Sequence, residues 1–209
     1  AGLLPGDYPA LWSAYLGLVS LVDEAIGRVI NACKRAGIWD DALVLFYTDH
    51  GESLGQRQLM QKMTAYEESA HVPLFVKPPR NARAAGADGR GACDGPRTAE
   101  QSARGALEEK GGCRGGVVSH LDVLPTVLDY AGLSEPPSER RRWGRSLRPQ
   151  IEESELPHHD PIFMEYNGNQ TRGFAWRAAT DGRFKYVLHL CGEEELYDLV
   201  DDPLEQNNR

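Results

Sequence analysis

The stretch LVLFYTDHGESLG, Leu43 to Gly55, constrains this chain more than any other. Apolar and aromatic strand formers run to Tyr47 and stop abruptly at Thr48-Asp49-His50-Gly51-Glu52. Ala42 to Thr48 therefore reads as a fully buried strand whose tip carries a carboxylate, an imidazole and a glycine. In open α/β sheets the carboxyl ends of strands are where ligands sit, because loops fan out there over the sheet edge. Adjacent strand residues point to opposite faces, but Gly51 makes a turn sterically cheap, so Asp49 and His50 can face one centre. An oxygen donor beside an imidazole suits a divalent cation.

The flanking pattern predicts what such a strand packs with. Leu18, Val22, Ala25, Ile26, Val29, Ile30 and Cys33 recur at helical spacing between Pro9 and Arg35, which predicts an amphipathic helix with Cys33 on its core face. Lys34 and Arg35 suit the negative end of its dipole, and Gly37 stands where a left-handed cap would stop it. Val72 to Lys77 reads as a second buried strand, ended by Pro78-Pro79. Two buried strands with helices between them predict an α/β fold with a mostly parallel sheet. Farther on, Asp122 can cap a helix, with Pro125 in its first turn, Leu124, Val127, Leu128 and Ala131 on one face, and Gly132 at its end.

Composition separates the remaining segments. Residues 80–116 are rich in Gly, Ala, Arg and Glu and read as a long surface loop. Ser134 to Asp160 changes charge sign along its length and reads as solvated surface. Beyond it, PIFMEY, GFAWRAATDGRFKYVLHL and ELYDL read as short strands, with Asp181-Gly182 as a hairpin turn, and predict a small antiparallel sheet. The expected organisation is an α/β part over residues 1–150, with the loop at 80–116, and a small antiparallel subdomain over residues 151–209.

The chain has 209 residues, enough for a substantial core, and its 23 basic against 31 acidic residues give a net charge of −8. That balance, with no run of Lys and Arg interleaved with aromatics, argues against a nucleic-acid partner. No apolar stretch approaches the roughly 20 residues needed to span a bilayer. Cys33, Cys93, Cys113 and Cys191 form no CxxC pair and no zinc-type grouping. Cys93 and Cys113 bracket a Gly-rich stretch and are either a disulfide or two free thiols. His158-His159-Asp160 reads as a solvated loop, and His120 and His189 as packed or solvent-facing.

The loop after the first strand adds a cation. Lys62, in QKMTAYEESAHVPLFV, lies just before the chain re-enters the sheet, on a loop that returns to the same sheet edge, where its ammonium could reach an anion. YTDHGESLGQRQLMQKMTAYEESAHVPLFV resembles the C-terminal half of the type I sulfatase signature of the alkaline phosphatase superfamily. Supporting segments follow the family's order: YLGLVSLVDEAIGRVI before it, VSHLDVLPTVLDYAGL after it, and FKYVLHLCGEEELYDLVDDPLEQNN at the end. The Asp-His-Gly form resembles a subset with iduronate sulfatase-like and choline-sulfatase-like enzymes and phosphonate monoester hydrolases.

The resemblance implies an alkaline-phosphatase-like α/β sandwich and hydrolysis of a sulfate ester on a sulfated small molecule or glycan. It implies Asp49 and His50 as ligands of calcium or a similar hard cation, and Lys62 as the group that binds sulfate oxygens. His71 could approach the substrate or serve structurally. It implies a secreted, periplasmic or lysosomal-type compartment. The family's nucleophile is a formylglycine made in a C/S-x-P-S-R motif, which this sequence lacks along with a pair of Asp metal ligands. A fragment inactive by itself is therefore expected. The alternatives are a phosphonate or phosphate monoester hydrolase of the same superfamily, or a truncated non-catalytic relative.

Overall fold

The computed structural model describes residues 7–80, 116–134, 143–152, 161–168 and 175–209. Most of the expected 80–116 loop, Cys93, Cys113 and the cluster His158-His159-Asp160 lie outside the described residues. Contacts group the chain into two compact units: residues 1–79, 163–179 and 183–209 form the first, and residues 80–162 and 180–182 the second.

In the first unit, helix α1 spans Tyr8–Arg35. Pro9 falls in its first turn, where a missing N–H costs no hydrogen bond. It ends as its sequence predicts: Lys34 and Arg35 occupy the last turn, Gly37 adopts φ 71°, and the Ile38 amide donates to the Cys33 carbonyl at 3.1 Å. The apolar stripe is regular but uncovered. No α1 residue is buried, Leu18 and Leu21 are more than 60% exposed, and Cys33 is half-buried rather than in the core.

Strands β1 (Val44–Tyr47) and β2 (Leu74–Lys77) pair antiparallel, Tyr47 opposite Leu74 and Val44 opposite Lys77. This corrects the parallel relation expected for these two strands. Residues 48–73 leave and re-enter the pair at one end, which reverses β2, whereas a parallel pair requires a crossover to the opposite end. Expected full burial is corrected too, since Phe46, Tyr47 and Phe75 are exposed. Their mutual contact is the ring pair Phe46 and Phe75, with centroids 5.8 Å apart. The second strand starts at Leu74 rather than Val72, after Pro73, which has no N–H to donate. Lys34 and Lys77 both lie over the Trp39 ring, and Lys77 Nζ donates to the Ala42 carbonyl at 2.9 Å.

The expected second sheet is present. Strands β3 (Ile162–Tyr166), β4 (Trp176–Thr180), β5 (Phe184–His189) and β6 (Glu194–Asp198) lie in that order, β5 and β6 antiparallel with Phe184 opposite Asp198. The Asp181-Gly182 turn joins β4 to β5, with Gly182 at φ 92°, as the sequence predicts. Alternation buries Trp176 and Ala178 on β4, and Lys185 and Val187 on β5. Ala65 packs against Trp176, Ala178 and Val187, with Met164 and Tyr166 at the margin.

In the second unit, helix α2 spans Val123–Tyr130 and ends at Gly132, and a short helix α3 spans Arg148–Glu152. Asp122 is the residue before α2, but its carboxylate does not cap that helix. It turns back to accept from the Ser119 amide at 2.8 Å in a capping box, and accepts from the Arg145 amide at 2.9 Å. Buried Thr126 accepts the Leu147 amide at 2.9 Å, so two side chains on adjoining turns hold the 143–147 segment. A side chain at Gly144 would meet the Leu121 carbonyl at 1.8 Å, so that approach requires glycine.

Candidate functional site

Asp49 and His50 leave β1 side by side, and their side chains converge. One Asp49 oxygen, Oδ1, accepts from the His50 amide at 3.1 Å and is within 3.4 Å of the Thr48 hydroxyl. The other, Oδ2, lies 3.4 Å from His50 Nε2. His50 Nδ1 lies 2.8 Å from the Gly51 carbonyl, an acceptor only, so Nδ1 carries the proton. In the neutral ring Nε2 then presents a lone pair toward Asp49 Oδ2. An anionic oxygen and an imidazole lone pair this close are donors that could share one divalent cation. Desolvation pushes the Asp49 carboxyl up, but with His50 protonated its charge and the amides of residues 49 and 50 outweigh it, so the Asp49 pKa then lies below the ordinary value. Among the described residues no group of three or more His, Cys, Asp or Glu could hold a metal ion.

The backbone ties this edge to the returning chain. The Gly51 amide donates to the Ser69 carbonyl at 2.8 Å, placing residues 49–51 beside residues 69–71. A side chain at Gly51 would meet the Glu68 carbonyl oxygen at 1.9 Å. His71 thus stands on the same edge as His50, with its own ring exposed. Its Nδ1 pairs with Glu67 Oε2 at 2.7 Å. That hydrogen bond, with the Glu67 charge, raises the His71 pKa above the ordinary value. Burial works against the Glu67 charge, yet His71 and Lys185 together hold its carboxyl down at about 2.

Lys62 is brought in differently. It is exposed, and among the described residues no hydrogen bond or ion pair engages its ammonium or links it to Asp49 or His50. The turn before it uses left-handed backbone at Leu54, Gly55, Arg57 and Gln58. Glu52 accepts the Gln61 amide, and the Ser53 amide donates to the Gln61 carbonyl at 2.9 Å. After it, the Trp176 indole N–H donates to the Met63 carbonyl at 2.8 Å.

The residues that hold this segment were not singled out by the sequence. Lys185 is fully buried and contacts Ala65 O at 2.9 Å, Glu67 Oε1 at 2.6 Å and Glu205 Oε1 at 2.6 Å. Arg57 pairs with Glu68 at 2.5 Å, stacks 4.0 Å over the Tyr66 ring and donates to the Leu204 carbonyl. A cleft beside them is lined by Arg57, Tyr66, Glu68, Tyr197 and Glu205; none of Asp49, His50 and Lys62 lines it. The signal for Lys185 was available: alternation through FKYV puts Lys185 on the same face as Val187. A lysine there must be paired inside the fold.

Residues 7–133 match the family model described as Sulfatase. The chain belongs to the sulfatase family. It is 34% identical over 197 residues to the choline-sulfatase of Rhizobium meliloti strain 1021, covering 93% of this chain and 32% of that protein. It is 29% identical to the multifunctional alkaline phosphatase superfamily protein PehA of Trinickia caryophylli, over 100% of this chain and 38% of that one. The chain thus spans about a third of the length of the curated relatives it matches. Among solved structures, the phosphonate monoester hydrolase of Agrobacterium radiobacter superposes with TM-score 0.73 at 26% identity, over 97% of this chain and 37% of that one. BT4656, solved with its substrate D-glucosamine-2-N,6-O-disulfate, superposes with TM-score 0.72 at 26% identity, over 93% and 35%. The architecture is accordingly the alkaline-phosphatase-like α/β fold with a small antiparallel sheet. No helix among the described residues is long and apolar enough to cross a membrane.

Proposed function

We propose that this sulfatase-family chain carries part of the active site of a metal-dependent sulfuric ester hydrolase, acting on a sulfated small molecule or glycan. The observation that carries the reading is the pair Asp49 Oδ2 and His50 Nε2, 3.4 Å apart, with Nδ1 of the ring engaged by the Gly51 carbonyl. That pairing leaves an anionic oxygen and an imidazole lone pair facing each other, the donor set of a hard or borderline divalent cation, here calcium by expectation. When bound, such a cation would offset negative charge on the sulfate oxygens.

Asp49 through its carboxylate and His50 through Nε2 of the neutral ring would hold that ion. Lys62, with no internal partner among the described residues, would bind sulfate oxygens as a point charge and stabilise the charge that builds on them during ester cleavage. His71, on the neighbouring backbone position and oriented by Glu67, would approach the ester. No residue of this sequence is assigned as the nucleophile; the reading takes a formylglycine for that role.

The test is sulfate release from 4-nitrocatechol sulfate with calcium, by the full gene product containing these residues, co-expressed with a formylglycine-generating enzyme. Asp49→Ala and Lys62→Ala should each lower kcat/KM by about 100-fold or more. Unchanged turnover in both would sink the assignment of these residues. Turnover of a phosphonate monoester with none of the sulfate ester would favour the second reading, a phosphonate monoester hydrolase, which the likeness to the Agrobacterium enzyme supports.

A further inference from the structure

Lys62 sits between two non-glycine residues in left-handed backbone, Gln61 at φ 70° and Met63 at φ 92°. Such conformations are unfavourable for residues with side chains and persist where the surroundings over-determine them. The surroundings here act on alternate residues. The Gln61 carbonyl accepts from the Ser53 amide, the Met63 carbonyl from the Trp176 indole, and the Ala65 carbonyl from Lys185 Nζ, while the Glu67 amide donates to Glu205 Oε2 at 2.7 Å. Residues 61, 63, 65 and 67 are thus each pinned, and three of the four pins come from β4, β5 and the C-terminal tail.

Lys185 is the centre of this arrangement. Its ammonium is fully buried, donates to the Ala65 carbonyl and to Glu67, and forms an ion pair at 2.6 Å with Glu205 Oε1, which accepts no hydrogen bond and whose side chain is 1% exposed. Glu205 adopts φ 50°, a further left-handed residue, with its carboxylate turned inward. For stability alone a buried ion cluster is a poor solution, because apolar residues of similar volume often do as well or better. A lysine ammonium does something a leucine cannot: it ties β5 to the 65–67 segment by two directed hydrogen bonds and to the C-terminal tail by charge.

We propose that Lys185 and Glu205 are positioning residues for Lys62. They lock the Met63 to Glu67 backbone so that the Lys62 side chain leaves the chain from one fixed backbone position toward the sulfate oxygens. The proposal rests on the role given to Lys62 above. A mobile lysine would still attract an anion, but it would not hold its charge where charge develops, and small misplacements at a reacting centre cost large factors in rate.

The experiment is a double-mutant cycle on the full gene product, with kcat/KM for 4-nitrocatechol sulfate measured well below each variant's melting temperature. Lys185→Met should lower kcat/KM by about ten- to a hundredfold in the native background. In the Lys62→Ala background the same change should cost less than about twofold, because its route of action is already gone. Calcium affinity, set by Asp49 and His50, should be unchanged in Lys185→Met.

Glu205→Gln is the second variant, taken through the same cycle, should Lys185→Met not fold. The amide retains an acceptor for the Glu67 N–H while losing the charge that faces Lys185, and the same pattern is expected. An equal factor in both backgrounds, or no factor in either, overturns the positioning role while leaving Lys62 in place. If Lys62→Ala itself leaves kcat/KM unchanged, the reading of Lys62 falls, and the positioning role with it.

Discussion

The two stretches that carry the candidate site are held by opposite means. Asp49 and His50 are secured by their immediate neighbours, through the His50 amide, the Thr48 hydroxyl and the Gly51 carbonyl, with one backbone bond to Ser69. The segment after Lys62 is secured by Trp176, Lys185 and Glu205, which are 113, 120 and 138 residues distant along the chain from the groups they hold. The difference matches what each stretch is proposed to do. A pair of donors takes its final geometry from the ion it binds, so local ties suffice and the carboxylate stays 84% exposed. A lysine acting as a point charge has no ion to organise it, so the framework must.

Three substitutions would break or sharpen that contrast. The largest effect is expected from Gly51→Ala, whose side chain would fall 1.9 Å from the Glu68 carbonyl oxygen, backbone that cannot swing aside. Forcing the chains apart there should cost about 1–3 kcal/mol, read as a lower midpoint in a thermal melt. It should also weaken calcium binding by calorimetry, since it cuts the tie between residues 49–51 and 69–71. Native-like stability in this variant would mean that the two segments do not approach as closely as described.

A smaller effect belongs to Trp176→Phe, which keeps an aromatic ring in the core but removes the indole N–H that reaches the Met63 carbonyl. Loss of that hydrogen bond should cost about 1–2 kcal/mol in urea unfolding and leave calcium affinity untouched. A change in calcium affinity equal to that of Gly51→Ala would erase the distinction between the two stretches.

The smallest effect concerns His71 and pH. Its pKa is raised by Glu67, so the pair contributes stability that is fully present below about pH 6.5 and lost as pH rises through the raised value. Glu67, held at about 2, remains ionised throughout that window. His71→Gln should therefore narrow the difference in stability between pH 6 and pH 9. With the His71 side chain 76% exposed, the change should stay within about 0.5 kcal/mol. Parallel pH profiles for the two proteins would show that the pair carries no stability.

Much of the local structure was legible because its causes are local. Helix α1 ends at Arg35 because Lys34, Arg35 and Gly37 make an ending, and the Asp181-Gly182 turn lies between two strands because its own residues favour that shape. The adjacency of Asp49 and His50 also needed nothing more than a strand tip followed by glycine. What misled was inference from composition to environment. The apolar stripe of α1 and the run from Val44 to Tyr47 both carry core-type residues, yet the first is uncovered and the second half-exposed. Apolar periodicity reports which face wants to be covered, and it does not report what covers it.

By itself the sequence determined the chemical inventory of the candidate site, a carboxylate, an imidazole and an ammonium on one loop, together with the elements that bracket it. Spacing and backbone preference act over a few residues and are written in the order of the letters. The antiparallel relation of β1 and β2, the burial of Lys185 and the reach of Glu205 to the Glu67 amide were decided only by tertiary structure. Each is a contact between segments far apart in the chain. Its geometry depends on how both partners pack, and no single stretch of sequence contains both.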